Sequence, residues 1–192
     1  MQVGNAVRRK FTMVPVELLA FLVLAAVLLA GCPRVISLDY LPSNKLKGQG
    51  RLQVETFEYR TPDKGIEKPK EMGADTQEFE VFYLSQDIAS FFTDALKKEL
   101  AHSGYEVEPA ENVVVSGTIQ RFYFDYERPD GQAFEIHVSY RVSHGRVPAY
   151  SYVCQSTQQR STTLTTSGLV IKAGIKDCIE RFIQAAQGAK VM

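Results

Sequence analysis

Hydrophobic residues follow three patterns along this chain of 192 residues. An uninterrupted apolar run covers residues 18–30, and apolar residues at helical spacing occur in two later segments. Elsewhere, apolar and polar residues alternate, which is typical of strands that bury one face. These patterns predict an N-terminal apolar segment, then a linker, and then a domain that contains both helices and strands.

Two segments have the period of an amphipathic helix. The first lies between Ser85, a candidate N-cap, and Gly104, the expected stop. The second covers residues 168–187, with Ser167 as the candidate cap and Gly188 as the stop. The predicted apolar faces consist of Ile88, Phe91, Phe92, Ala95, Leu96 and Leu100 in the first helix, and of Ile171, Ile175, Cys178, Ile179, Phe182 and Ala186 in the second.

Alternation predicts three consecutive antiparallel strands over residues 113–127, 134–143 and 149–160. The middle strand is the most regular, because an apolar residue occupies every second position from Phe134 to Val142. In the first strand the alternation changes phase near Gly117, which predicts a β-bulge there.

The remaining segments are less regular. Residues 51–59 predict a further strand, residues 105–108 a short one, and residues 61–77 a long charged loop. One-sided helices and a one-sided sheet bury their apolar faces best as two layers. We therefore predict an α+β domain over residues 51–192, with a mostly antiparallel sheet and two amphipathic helices packed on one face.

The N-terminal apolar run has 13 residues and follows the basic patch Arg8-Arg9-Lys10. A membrane-spanning helix needs about 20 apolar residues, and Glu17 blocks extension of the run towards the N-terminus. The segment therefore fits the hydrophobic region of a secretory signal. The paired arginines also fit a twin-arginine export signal, although the strongly apolar run favours the general secretory route.

The run ends in Leu29-Ala30-Gly31-Cys32, which resembles the lipobox of bacterial lipoproteins. The resemblance implies that residues 1–31 are a signal peptide, removed before Cys32. The Cys32 sulfur would then receive a diacylglycerol, and the new N-terminus a further acyl chain such as palmitate. An ordinary membrane anchor with an incidental Cys32 is the alternative. Residues 32–50 are predicted as the lipidated cysteine and a flexible tether, with an end-to-end distance of about 23 Å.

Composition excludes several classes of function. Residues 1–31 contain three basic side chains and one acidic side chain, so the remainder has 19 basic and 21 acidic residues. A net charge of about −2 is not typical of a domain that binds nucleic acid, which needs a clustered basic surface. The sequence contains no catalytic nucleophile motif and no cofactor-binding motif, and His102, His137 and His144 lack metal-ligand spacing. We therefore predict no catalytic, metal or cofactor site.

Two pairs of residues are candidate features of the domain. Cys154 lies in a predicted strand and Cys178 in a predicted helix, so in an oxidising compartment they can form a disulfide. Two buried free thiols are the alternative. Tyr123 and Tyr126 belong to an aromatic stretch within the first long strand. They are candidates for an exposed patch that binds a partner, with ordinary strand packing as the alternative.

The helix segment SQDIASFFTDALKKELAHSGYEV, followed by VVVSGTIQRFYF and EIHVSYRV, resembles the YajG family of bacterial lipoproteins. Members share a lipobox, a helix that ends near Gly-Tyr-x-Val, and a sheet followed by a closing helix. The resemblance covers about residues 79–187 and the lipobox. A looser similarity links the chain to auxiliary lipoproteins of lipid-transport systems.

These observations predict a lipid-anchored periplasmic lipoprotein that acts without catalysis, as an accessory or binding component of the cell envelope. Its expected partners are the membrane and an envelope protein, a lipid or peptidoglycan, with no nucleic acid. A lipid- or peptidoglycan-binding module, or an auxiliary subunit of a lipid-transport system, is the alternative. Because Pro33 rather than Asp follows Cys32, the resemblance to enterobacterial lipoproteins favours the outer membrane.

Overall fold

The computed structural model describes residues 34–61, 65–66, 68–75, 82–109, 111–126, 131–164 and 166–192. Ten strands and two helices lie within these ranges. In chain order they are β1 (Arg34–Ile36), β2 (Arg51–Val54), β3 (Glu58–Thr61), β4 (Gly65–Ile66), β5 (Glu71–Asp75), β6 (Phe82–Leu84), α1 (Ile88–His102), β7 (Glu106–Val107), β8 (Val113–Asp125), β9 (Ala133–His144), β10 (Val147–Gln159) and α2 (Ser167–Gly188). The predicted α+β class is confirmed, with a mixed sheet.

The long antiparallel pairings are β8 with β9 and β9 with β10, which confirms the predicted meander. The other edge of β8 pairs in turn with β2, β3 and β5, each in parallel. Beyond β5, the strand β6 pairs antiparallel with β5, and β1 pairs in parallel with β6. The predicted charged loop at residues 61–77 therefore contains β5, a strand of the main sheet, as well as the short strand β4.

The core lies between one face of the sheet and the two helices. The alternating residues of β9 from Phe134 to Val142 are at most 2% exposed, as the sequence predicts. Phe182 of α2 stacks on Tyr140 with ring centroids 4.1 Å apart, and Phe92 of α1 packs against Phe57 at 5.2 Å. No helix within the described ranges is both long enough and apolar enough to cross a membrane.

The β-bulge lies three residues after the predicted position. In the β8–β9 ladder, Ile119 faces Val138 and Arg121 faces His137, so Gln120 is the extra residue. Gly117 has a different role. A Cβ atom there would overlap the Phe57 ring and the Ser139 carbonyl oxygen, so glycine allows Phe57 to pack against β8.

Both helices are found where the sequence predicts them, but the capping residue lies two residues after the predicted one in α1 and one residue before it in α2. Asp87, not Ser85, caps α1, because its Oδ1 atom accepts the Ser90 N–H at 2.7 Å. Thr166, not Ser167, caps α2 and accepts the Leu169 N–H at 3.3 Å. The predicted strand at residues 51–59 is wrong as one element, because residues 55–57 separate β2 from β3.

The prediction of a flexible tether is wrong for the described residues of that segment. Residues 33–192 form one compact unit, and β1 is a strand of the sheet. Leu38, Tyr40 and Asn44 are at most 7% exposed. We call residues 37–50 the strap. The domain therefore begins ahead of residue 51, because the strap buries apolar side chains that a free linker would expose to water.

Candidate functional site

The strap contacts both helices along its length. The Gln86 side-chain amide donates to the Leu38 carbonyl at 3.2 Å, and the Gly48 N–H donates to the Ser103 carbonyl at 2.7 Å. On the other side, the Gln187 side-chain amide donates to the Lys47 carbonyl at 3.0 Å. The strap thus joins α1 to α2.

Glu99 is a fully buried carboxylate on α1 and the main polar contact of the strap. It accepts hydrogen bonds from the Tyr40 hydroxyl at 2.7 Å and from the N–H groups of Ser43 and Asn44 at 3.2 Å. The Asn44 side-chain amide donates to the Glu99 carboxylate and to its carbonyl oxygen. The Ser103 hydroxyl donates to Asn44 Oδ1 at 3.0 Å. These bonds offset the cost of burying a carboxylate.

Glu99 is not among the residues predicted to be functional, although its position in the helix distinguishes it. Glu99 lies three positions after Leu96 and four after Ala95, so helical spacing places it on the apolar face of α1. A carboxylate on such a face is rarely buried without partners. Those partners come from residues 40–44, a segment predicted to be a tether, so no local pattern connects Glu99 to them.

Two buried tyrosines have raised pKa values. Burial, together with the hydrogen bond and negative charge of Glu99, raises the pKa of Tyr40 far above its ordinary value. Tyr40 is therefore a neutral donor to the carboxylate. Burial also raises the pKa of Tyr140, with a smaller contribution from Tyr152. The Tyr140 hydroxyl has no hydrogen-bond partner within the described part of the chain, and its ring is held against Phe182.

A second feature lies on the face of the sheet that the helices leave uncovered. A groove of about 520 Å³ lies beside residues 55–57, where strand pairing with β8 is interrupted between β2 and β3. At this point Phe57 turns towards the core, and its N–H donates to the Thr93 hydroxyl at 3.0 Å. The groove is lined by the hydroxyl-bearing residues Thr56, Ser116, Thr118, Ser139 and Ser151, and by the charged residues Glu55, Glu58 and Arg141.

The same uncovered face carries a charged cluster farther along β8 and β9. Arg121 Nε lies 2.7 Å from Glu135 Oε2, and the Arg121 guanidinium lies 4.1 Å from the centre of the Tyr123 ring. His137 is directly opposite Arg121 in the ladder. Partial burial, followed by the Arg121 charge, lowers the pKa of His137, and Glu135 opposes this shift. His137 is therefore held mainly neutral near pH 7.

The structure does not bring the two candidate tyrosines together. Tyr123 lies beneath Arg121 on the uncovered face. Tyr126, just beyond the end of β8, packs against the core. It stacks on Phe82 with ring centroids 4.7 Å apart and lies tilted against Phe124 at 4.6 Å. A single aromatic patch formed by both residues is thus excluded, because they belong to opposite sides of the strand.

Cys154 of β10 and Cys178 of α2 are joined in a disulfide, with Cα atoms 5.5 Å apart. Both residues are at most 1% exposed. The bridge connects the edge strand of the meander to the second helix, in the strand-to-helix arrangement considered from the sequence. The lipobox residues Leu29, Ala30, Gly31 and Cys32 lie outside the described residues.

The described residues contain no group of three or more His, Cys, Asp or Glu side chains that could hold a metal ion. The His144 ring contacts the Val191 carbonyl oxygen near the C-terminus at 3.1 Å.

No protein-family model and no curated protein sequence matches this chain. A DUF330-family protein from Xanthomonas campestris matches its structure with a TM-score of 0.56 at 13% identity, covering 82% of this chain and 94% of that protein. An uncharacterised protein matches with a TM-score of 0.54 at 12% identity, over 82% and 99% of the two chains. A hypothetical protein from Chlamydia trachomatis matches with a TM-score of 0.50 at 10% identity, over 74% and 98%.

At such low identity, these matches show a shared fold and nothing more specific. They cover nearly the whole of each matched chain, so the arrangement of sheet and helices seen here is a complete domain in those proteins. None of the three is named as an enzyme.

Proposed function

We propose that this chain is a lipid-anchored periplasmic lipoprotein that acts without catalysis, as an accessory or binding component of the cell envelope. The observation that carries the proposal is the sequence Leu29-Ala30-Gly31-Cys32, placed two residues before a folded domain. An acylated cysteine in that position would anchor the domain firmly, since two or more acyl chains hold a protein on a membrane. The resemblance to YajG-family lipoproteins supports the same function.

The disulfide supports the proposed compartment. Structural disulfides persist in oxidising compartments such as the periplasm and are rare in the cytosol. The buried Cys154–Cys178 bridge is consistent with export through the signal at residues 1–31. The outer membrane is the proposed destination, because Pro33 and not Asp follows Cys32.

Replacing Cys32 by serine tests the proposal. We expect the wild-type protein to incorporate labelled palmitate and to fractionate with the outer membrane. We expect Cys32→Ser to incorporate none and to keep residues 1–31, because the signal peptidase of lipoproteins requires the lipidated cysteine. Cys154→Ala is the matched cysteine control and should still be labelled, because it keeps Cys32. The proposal fails if Cys32→Ser is processed and membrane-bound like the wild type.

A second candidate function follows from the groove on the uncovered face of the sheet. Its hydroxyl groups and its charges of both signs favour a polar ligand such as a peptidoglycan fragment over an acyl chain. We expect Arg141→Glu to weaken binding of a soluble muropeptide to the detergent-purified protein at least tenfold, measured by calorimetry. Arg146→Glu, on the turn after β9, is the matched control and should bind as the wild type does. No binding to the wild type, or an equal loss in both variants, would argue against this site.

A further inference from the structure

Because β1 and the strap are part of the folded domain, the domain lies closer to its proposed lipid anchor than a flexible tether would allow. β1 begins at Arg34 and is paired with β6 along its whole length, from Arg34 opposite Phe82 to Ile36 opposite Leu84. Only Pro33 separates Cys32 from this strand. Two residues of extended chain span about 7 Å, whereas a free linker over residues 33–50 would average about 23 Å. The residue proposed to carry the lipid is therefore held close to the first strand of the sheet.

Several elements meet at the end of the domain where β1 begins. Tyr126, after β8, stacks on Phe82 of β6, and the Arg160 N–H donates to the Gln132 carbonyl at 2.8 Å. A cleft of about 310 Å³ lies between these four residues, β1 and Ser167, the first residue of α2. We call this region the entry end, and its residues are Val35, Phe82, Tyr126, Gln132, Arg160 and Ser167.

Large apolar side chains are exposed at or beside the entry end. Val35 of β1 is 60% exposed. Leu169, in the first turn of α2, is 37% exposed, and its neighbour Gly168 lies against the Leu38 side chain of the strap. Exposed side chains of this kind are costly in water but not in the headgroup and upper acyl region of a bilayer.

We propose that the entry end rests directly on the lipid surface, with Val35 and Leu169 in contact with the membrane. This inference rests on the proposed acylation of Cys32, and it adds an orientation that acylation alone does not provide. Arg160 lies at the same end, where a guanidinium is attracted to lipid phosphates. β8 has 13 residues and spans about 40 Å, so the turn between β9 and β10 lies far from the lipid.

The absence of tryptophan from the chain makes the orientation measurable. Val35→Trp and Leu169→Trp place a single fluorophore at the entry end. Val147→Trp places it at a 68% exposed position beside the distant turn, and Leu41→Trp at a 76% exposed position on the strap. Each acylated full-length variant is reconstituted into phospholipid vesicles with and without brominated acyl chains. We expect at least twofold stronger quenching for Val35→Trp and Leu169→Trp than for Val147→Trp.

Two results would overturn the proposed orientation. Equal quenching of Val147→Trp and Val35→Trp would show that no particular end faces the lipid. Stronger quenching of Leu41→Trp than of Val35→Trp would show that the strap, rather than the entry end, lies on the membrane. Flotation of the same samples tests the anchor separately. Protein that floats without quenching at Val35→Trp refutes the orientation alone, whereas protein that does not float refutes the anchor and the orientation together.

Discussion

Replacing Glu99 by alanine is expected to lower the free energy of unfolding by about 3 kcal/mol, because buried hydrogen-bond donors lose their acceptor together. The Tyr40 hydroxyl and the N–H groups of Ser43 and Asn44 all donate to this one carboxylate. Water cannot replace it easily, since Glu99 and Tyr40 are at most 3% exposed. Urea unfolding of the non-acylated Cys32→Ser protein, with and without the Glu99→Ala change, measures the effect.

Two variants on the same helix sharpen this test. Asp94 is exposed on α1, so Asp94→Ala should change stability by no more than about 0.5 kcal/mol. Glu99→Gln keeps one carbonyl oxygen as an acceptor, so its effect should be intermediate. Hydrogen exchange should also become faster at Asn44 and Gly48 in Glu99→Ala, because the strap loosens before the sheet unfolds. If Glu99→Ala is as stable as Asp94→Ala, the strap is not held by this carboxylate.

The elements that the sequence predicted correctly are those with a long, regular pattern. The β8–β9–β10 meander and both helices satisfy their hydrogen bonds through pairing that is local in the chain, so periodicity alone identifies them. The caps were misplaced by one or two residues because Ser85, Asp87, Thr166 and Ser167 are all good capping residues. Only the three-dimensional arrangement selects one from each pair.

The elements that were missed are short and pair with residues far away in the chain. β1 and β5 have three and five residues, too few to show a period, and they exist as strands because they extend the sheet built on β8. The strap was predicted as a tether for the same reason. Its Pro and Gly residues are typical of linkers, whereas its order comes from Glu99, more than 50 positions later in the sequence.

The candidate sites divide in the same way. The lipobox is four consecutive residues whose chemistry is local, so the sequence alone predicts it. The groove on the uncovered face combines Glu55, Ser116, Arg141 and Ser151 from four separate parts of the chain. Alternation correctly predicted that β9 has a polar face, but the gap between β2 and β3 that opens the groove depends on the burial of Phe57.

Removing the Cys154–Cys178 bridge is expected to cost about 3 kcal/mol, because the disulfide closes a loop of moderate length in the unfolded chain. The two cysteines are 24 residues apart in sequence. Alanine is the suitable replacement, since both positions are buried and a serine hydroxyl would lack a partner. Urea unfolding in the Cys32→Ser background measures the loss for Cys154→Ala, for Cys178→Ala and for the double variant.

The comparison of single and double variants distinguishes a bridge from two buried thiols. Because either single substitution already removes the bridge, the double variant should be hardly less stable than the single ones. Two independent thiols would instead give costs that add. The chain has three cysteines, so the unfolded, non-reduced Cys32→Ser protein should contain no free thiol. Two titratable thiols, or additive costs, would show that α2 is held on β10 by packing alone.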